Sequence, residues 1–170
     1  MSILGTIIKQ IQIHRNPVDY WKKQGAIIGN NCDIHTDASL GTEPYLIHIG
    51  NNVRINANVR IFTHDGGLWV VRNLKEEYKN IDVFKSVTIG NNVHIGSNAI
   101  IMPGVSIGNN CIIGVGAIVT KNIMNNSVAV GIPARVIESI DEYIEKNKEY
   151  YVNTKQLNPK DKKKFISNIT

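Results

Sequence analysis

The chain has 170 residues, with 19 Lys and Arg against 14 Asp and Glu for a formal charge of +5; such a length buries one core and rarely two. Aromatic residues make up 6%, and no basic run is interleaved with them, which argues against nucleic acid as a partner; no stretch reaches the roughly 20 apolar residues of a bilayer span. Cys32 and Cys111 are too few for a disulfide framework or a zinc knuckle and read as small buried residues.

Residues 1–26 read as a helical cap. Ile3, Leu4, Ile7, Ile8 and Ile11 follow helical spacing, and Asn16-Pro17 supplies an N-cap and first-turn proline for a helix through Tyr20, Trp21 and Lys22. The opening Met-Ser-Ile-Leu has neither the charge nor the cleavage site of a secretory leader, so a cytoplasmic location is expected. Peripheral association with a membrane stays open as an alternative, although the polar face of this segment is not rich in Lys or Arg.

Residues 27–137 carry a different period. Every sixth residue from Ile89 is aliphatic: Ile89, Ile95, Ile101, Ile107, Ile113 and Val119, with shorter runs at Ile28, Ile34, Leu40 and at Ile49, Ile55, Ile61. Four residues after each member of the long run stands another apolar residue, namely Val93, Ala99, Val105, Cys111, Ala117 and Ile123. Neither an ordinary helix nor an ordinary strand repeats this way. A period of six fits an all-β solenoid in which three short strands make one triangular coil, about four coils in all.

Gly-Asn-Asn recurs at 29–31, 50–52, 90–92 and 108–110, as expected for corners that need positive φ angles. The last two copies are 18 residues apart, one coil. The first two are 21 apart, an insert near Gly41 to His48, and the middle pair is 40 apart, so an excursion loop is expected over residues 62–88. Long loops on a regular scaffold are usually functional. Residues 138–170 read as a helix opened by a Ser139/Glu142 capping box, with Ile140, Tyr143 and Ile144 on one face, then a basic, poorly ordered tail around Lys160 to Lys164.

The stretch from Ile89-Gly90-Asn91-Asn92 through Pro103-Gly104-Val105 to Val119-Thr120-Lys121, with the exit Gly131-Ile132-Pro133-Ala134-Arg135, resembles the hexapeptide-repeat acetyltransferases, and among them the sugar O-acetyltransferases. Gly41-Thr42-Glu43-Pro44-Tyr45 and Phe62-Thr63-His64-Asp65-Gly66-Gly67 look like the members found in polysaccharide biosynthesis. The resemblance covers about residues 17 to 140. It implies a left-handed parallel β-helix, an exception to the right-handed crossover rule, and a homotrimer with shared active sites. It also implies acetyl-coenzyme A as donor, a saccharide or other small-molecule acceptor, and no metal.

On that resemblance His64 is the catalytic base. The chemistry agrees: an alcohol is too weakly acidic to attack a thioester unaided, and imidazole titrates near neutral pH. Asp65, Glu43 and Asp37 are alternative partners for its ring. The resemblance assigns Ser97, Val115, Thr120, Lys121 and Arg135 to the coenzyme. Exposed amides beside Gly96 and Gly116 suit the amide-rich pantetheine arm, and the two cations suit phosphate. The acceptor side is assigned Asn56, Tyr45, Trp69 and Glu43, with a core role for the aromatics as the alternative. His94 stands where several family members carry Trp.

Three rival readings share the repeat. A γ-class carbonic anhydrase needs three zinc-binding histidines, two of them close in sequence, and His14, His35, His48, His64 and His94 offer no such pair. An acetyltransferase for serine or an antibiotic, and a non-catalytic scaffold, remain alternatives.

Overall fold

In the computed structural model residues 11–169 are described; Ile3, Leu4, Ile7 and Ile8 lie outside them. Residues 11–15 are helical, and helix α1 (Pro17–Lys23) follows as its start signal requires. The Asn16 side chain accepts a hydrogen bond of 3.1 Å from the Asp19 amide, while Lys22 and Lys23 sit at the negative end of the helix dipole. The buried Tyr20 and Trp21 rings meet edge to face at 5.0 Å and join the buried aliphatic core.

The six-residue period becomes three parallel sheets. The first stacks β1 (Ile27–Ile28), β3 (Ile47–Ile49), β6 (Val87–Ile89) and β9 (Ser106–Ile107). The second stacks β2 (Asp33–Ile34), β4 (Arg54–Ile55), β7 (Val93–Ile95), β10 (Cys111–Ile113) and β12 (Ser127–Val130), closed by the antiparallel β13 (Arg135–Ser139). The third stacks β5 (Arg60–Ile61), β8 (Ile100–Ile101) and β11 (Ile118–Val119). The chain visits the sheets in turn, so each strand pairs with its counterpart one circuit later.

Register puts the aliphatics in columns. Ile28, Ile49, Ile89 and Ile107 align in the first sheet, Ile34, Ile55, Ile95 and Ile113 in the second, and Ile61, Ile101 and Val119 in the third. All are buried, as are Val93, Ala99, Val105, Cys111, Ala117 and Ile123. Both cysteines are free, Cys111 buried and Cys32 partly so.

At the Gly-Asn-Asn corners the three residues divide the work more finely than the sequence indicates. The positive φ belongs to the second asparagine: Asn31, Asn52, Asn92 and Asn110 all lie between 54° and 56°. The glycine is needed for close stacking, since a Cβ on Gly50 would meet the Gly90 carbonyl oxygen at 2.7 Å. The first asparagine links circuits: the amides of Asn30, Asn51, Asn91 and Asn109 donate to the side-chain Oδ1 of Asn51, Asn91, Asn109 and Asn125 at 2.7 to 2.8 Å.

The excursion is slightly shorter than the expected 62–88, because Val87 and Thr88 already pair with Ile47 and His48 in the first sheet. It contains helix α2 (Leu68–Leu74), and Arg72 braces it by bonding the Ile81 carbonyl at 2.7 Å and pairing with Asp82.

By its contacts the chain forms two compact units, Met1–Ile140 and Asp141–Thr170. Helix α3 (Ile140–Asn147) starts where the capping box predicts, with Asp141 and Glu142 in its first turn. The expected irregular tail is instead partly ordered: Lys160 to Lys164 fall inside helix α4 (Pro159–Ser167), whose cap Asn158 accepts from the Asp161 amide at 3.0 Å. Asn158-Pro159 repeats the start signal of Asn16-Pro17, which the lysine run obscured. Among the described residues no helix is long and apolar enough to cross a membrane.

Candidate active site

Two departures from the six-residue repeat meet at one place. The insert after Gly41 folds into a short 3-10 turn, Pro44–Leu46, that places Glu43 beside the third sheet. The excursion leaves the end of β5 and returns through a short antiparallel ladder: the Lys85 amide donates to the Thr63 carbonyl at 2.7 Å, His64 bridges Phe84, and the Asp65 amide donates to the Val83 carbonyl at 3.1 Å. The ladder fixes the backbone on either side of His64.

Glu43 then holds the ring. His64 Nδ1 lies 3.0 Å from Glu43 Oε2, which also accepts from Thr63 Oγ1 at 2.7 Å, and Thr42 Oγ1 donates to Oε1 at 2.6 Å. Burial works to raise the Glu43 pKa, but the hydrogen bonds from Thr42, Thr63 and His64, with the histidine's charge, outweigh it and hold the carboxyl at about 2. An anion behind Nδ1 keeps the proton there, so Nε2 carries the lone pair.

This selects among the alternative partners. Asp65 Oδ1 accepts from the Gly67 amide at 2.8 Å, and Asp37 lies 3.5 Å from His35. Glu43, expected on the acceptor side, stands behind the histidine with both oxygens engaged. His94 sits in register between Arg54 and Ile112; burial first, and the Arg54 charge second, push its pKa below the ordinary value.

The depressed Glu43 pKa has a measurable consequence. A carboxyl lower in the folded than in the unfolded state contributes stability that is complete above the ordinary value of 4.5 and fades as pH falls toward about 2. Glu43→Gln should therefore melt below the wild type at pH 7, and the gap should close on acidification from pH 4.5 to 2, followed by circular dichroism. A gap constant over that range would mean that the lost contribution is not carried by the charged carboxylate.

His64 opens onto a cleft of about 720 Å³ floored by the third sheet. Its walls are largely apolar, with Phe62, Ile100, Met102, Pro103 and Ile118 prominent, and its polar groups include Asp65, Lys85 and Thr120. Phe84 meets the imidazole edge to face at 6.4 Å. Ser97 and Val115 lie at the turns that lead into β8 and β11, one circuit apart, where the Gly116 amide donates to the Ser97 carbonyl at 2.9 Å. Val115 is exposed, as is Lys121, which makes no ion pair among the described residues; Arg135 is exposed and Nη1 donates to the Ala134 carbonyl at 2.9 Å.

Thr120 is thus the one expected coenzyme residue that shares the cleft with His64. Tyr45 and Trp69 are 59% and 72% exposed, so neither is a core aromatic, and neither lines this cleft. Asn56 is half-buried, its amide bonded to the Ile95 carbonyl at 3.0 Å. The apolar lining was missed in the sequence, although a signal exists. Outward positions before an inward aliphatic are mostly polar, as at Asp33, Arg54, Arg60, Thr88 and Ser106, and of the four apolar exceptions, Ile27, Ile100, Ile112 and Ile118, two line this cleft.

Residues 86–121 match the family described as "Bacterial transferase hexapeptide (six repeats)". Protein CapG of Staphylococcus aureus is 50% identical over 88% of this chain and 87% of its own length. The galactoside O-acetyltransferase of Escherichia coli K12 is 44% identical over 73% of this chain, which spans 57% of that enzyme's length. A solved galactoside acetyltransferase in complex with coenzyme A superposes with a TM-score of 0.57 at 30% identity, over 88% of this chain and 84% of the other.

Proposed function

Because this chain belongs to the hexapeptide-repeat acetyltransferases, we propose that it transfers acetyl from acetyl-coenzyme A to a sugar hydroxyl, in the cytoplasm and in service of surface-polysaccharide synthesis. The observation that carries this reading is the Thr42, Thr63, Glu43 and His64 network at the mouth of an apolar cleft. In the same reading residues 27–137 form a left-handed β-helix of about four coils, and three copies assemble.

His64 Nε2 takes the hydroxyl proton as the acceptor oxygen bonds to the acyl carbon, and returns it to the departing sulfur when the thioester bond breaks. Glu43 holds Nδ1–H throughout and stabilises the imidazolium formed in between, as the carboxylate does in a catalytic triad. Apolar walls exclude water, so acetyl reaches the sugar rather than hydroxide. Ser97, Val115 and Thr120 line the path of the pantetheine arm, and Lys121 and Arg135 meet phosphate. Asn56, Tyr45 and Trp69, which stand outside the cleft, serve the part of the acceptor that extends beyond the reacting hydroxyl.

Thiol release from acetyl-coenzyme A, with a panel of sugars, serine and chloramphenicol, tests the assignment. A saccharide should be the acceptor that accelerates release. If serine or chloramphenicol were faster than every sugar, the sugar reading would fall, and no acceptor-dependent release at all would favour a scaffold.

Lys121→Ala combined with Arg135→Ala should melt like the wild type, because neither side chain is in the core. Two lost phosphate contacts should raise KM for acetyl-coenzyme A by about a hundredfold, each being worth roughly 1.5 kcal/mol, or about tenfold. An unchanged KM would remove both from the donor site.

A further inference from the structure

Lys85 is the cation in the cleft that the reading above leaves without a task. Its amide is tied to the Thr63 carbonyl, one residue before the base, so its backbone cannot drift from the site. Its stem lies across Gly104: a Cβ there would meet the Lys85 Cδ at 3.0 Å and its Cβ at 3.4 Å. Gly104 has φ +82° and follows Met102 and Pro103 of the cleft wall. The turn thus leaves room for the lysine stem and directs it along the wall.

No ion pair or side-chain hydrogen bond involves Lys85 among the described residues, although Asp65 lines the same cleft. Asp65 is turned to the Gly67 amide, where it holds the start of the excursion. An unpaired ammonium beside apolar walls loses hydration when the cleft fills, and that loss is offset only if the incoming molecule brings negative charge. The donor does not bring it here, because a thioester is neutral at its reacting end and its phosphates are assigned to Lys121 and Arg135.

We propose that Lys85 forms an anion subsite for the acceptor, so that the sugar acetylated by this protein carries a negative charge near the reacting hydroxyl. The inference rests on the acetyl-transfer reading for the identity of the neighbouring ligand. Two sources share the chemistry: a ring carboxylate, as in a hexuronic acid, and the diphosphate of a nucleotide-activated sugar.

Matched probes separate them. Acetyl transfer is measured with methyl galactoside against methyl galacturonide, and with N-acetylglucosamine against its uridine diphosphate conjugate, in the wild type, Lys85→Met and Lys85→Arg. One anionic probe should exceed its neutral partner at least tenfold in kcat/KM. The preference should collapse toward unity in Lys85→Met and return in Lys85→Arg. The pair that shows it names the source.

Calorimetric binding of the same probes to coenzyme A-loaded protein gives a readout independent of turnover. Anion-selective, Lys85-dependent binding without acetylation of any sugar would sink the acetyl-transfer reading and leave the subsite standing. Sugar acetylation with no anion preference would overturn the subsite alone. So would a loss in Lys85→Met that falls on KM for acetyl-coenzyme A, or a change in the protein's mass in solution, since either gives the lysine to the donor or to a subunit contact.

Discussion

His64→Ala should keep its fold and its affinity for coenzyme A, losing only the small stability that one of Glu43's three hydrogen-bond partners supplies, while kcat falls by roughly a hundred- to ten-thousand-fold, about 3 to 5 kcal/mol of barrier. The side chain is 40% exposed and outside the hydrophobic core, so its removal leaves no cavity among the stacked aliphatics. Its contribution falls on the transition state, where the hydroxyl proton must leave as the new bond forms, so the loss appears in kcat and not in donor binding. His64→Asn should do no better, since an amide cannot take the proton. If His64→Ala kept more than about a tenth of wild-type kcat with the true acceptor, well outside that range, the base would have to be sought elsewhere, with His35, His48 and His94 as the remaining candidates on the solenoid.

The second large effect concerns the scaffold. Ile95 is fully buried in β7, in register with Ile55 below and Ile113 above. Its column neighbours are tied to their own strands by parallel hydrogen bonds and cannot close in. Ile95→Ala should therefore destabilise the protein by about 2 to 5 kcal/mol, toward the upper half of that range, because the cost of a core truncation grows with the cavity left behind. Urea unfolding gives the value directly, provided that the protein's mass in solution is followed in parallel. A loss under about 1 kcal/mol would mean that the circuits can settle onto one another, contrary to a column held at strand spacing. The His64 and Ile95 variants should separate cleanly, one losing rate at nearly full stability and the other losing stability first.

The scaffold was legible because its determinants are local and repeated. An inward aliphatic every six residues from Ile89 to Val119 leaves few arrangements that bury them all, and Gly-Asn-Asn marks where the chain must turn. The site was legible only in part. His64 stands out by its position at the mouth of the excursion, but its partner is 21 residues earlier in the sequence, and only the stacking of one circuit on the next brings Glu43 within reach. Asp65, the neighbour in sequence, is turned away by the demands of the loop. The allocation of roles within each Gly-Asn-Asn corner was hidden for a similar reason, since it depends on which atoms face the circuit above. Helix α4 is announced only by the Asn158-Pro159 pair, and the run of lysines after it masks that signal because its charge pattern also suits a solvated tail.

The excursion separates two corner tripeptides by 40 residues where the uninterrupted circuit needs 18. The entropy of closing a loop grows only with the logarithm of its length, so this lengthening costs roughly 0.7 kcal/mol, little more than one doubling. The strands on either side, β5 and β6, keep the same partners in the stack whatever the intervening chain does. Substitutions, insertions and deletions between Gly66 and Asp82 are therefore close to free for the scaffold, while the short ladder from Thr63 to Lys85 keeps His64 in position. Selection for a new acceptor can act on that segment almost independently of selection for folding, and a lineage can change the molecule it modifies without rebuilding the stacked sheets beneath the cleft.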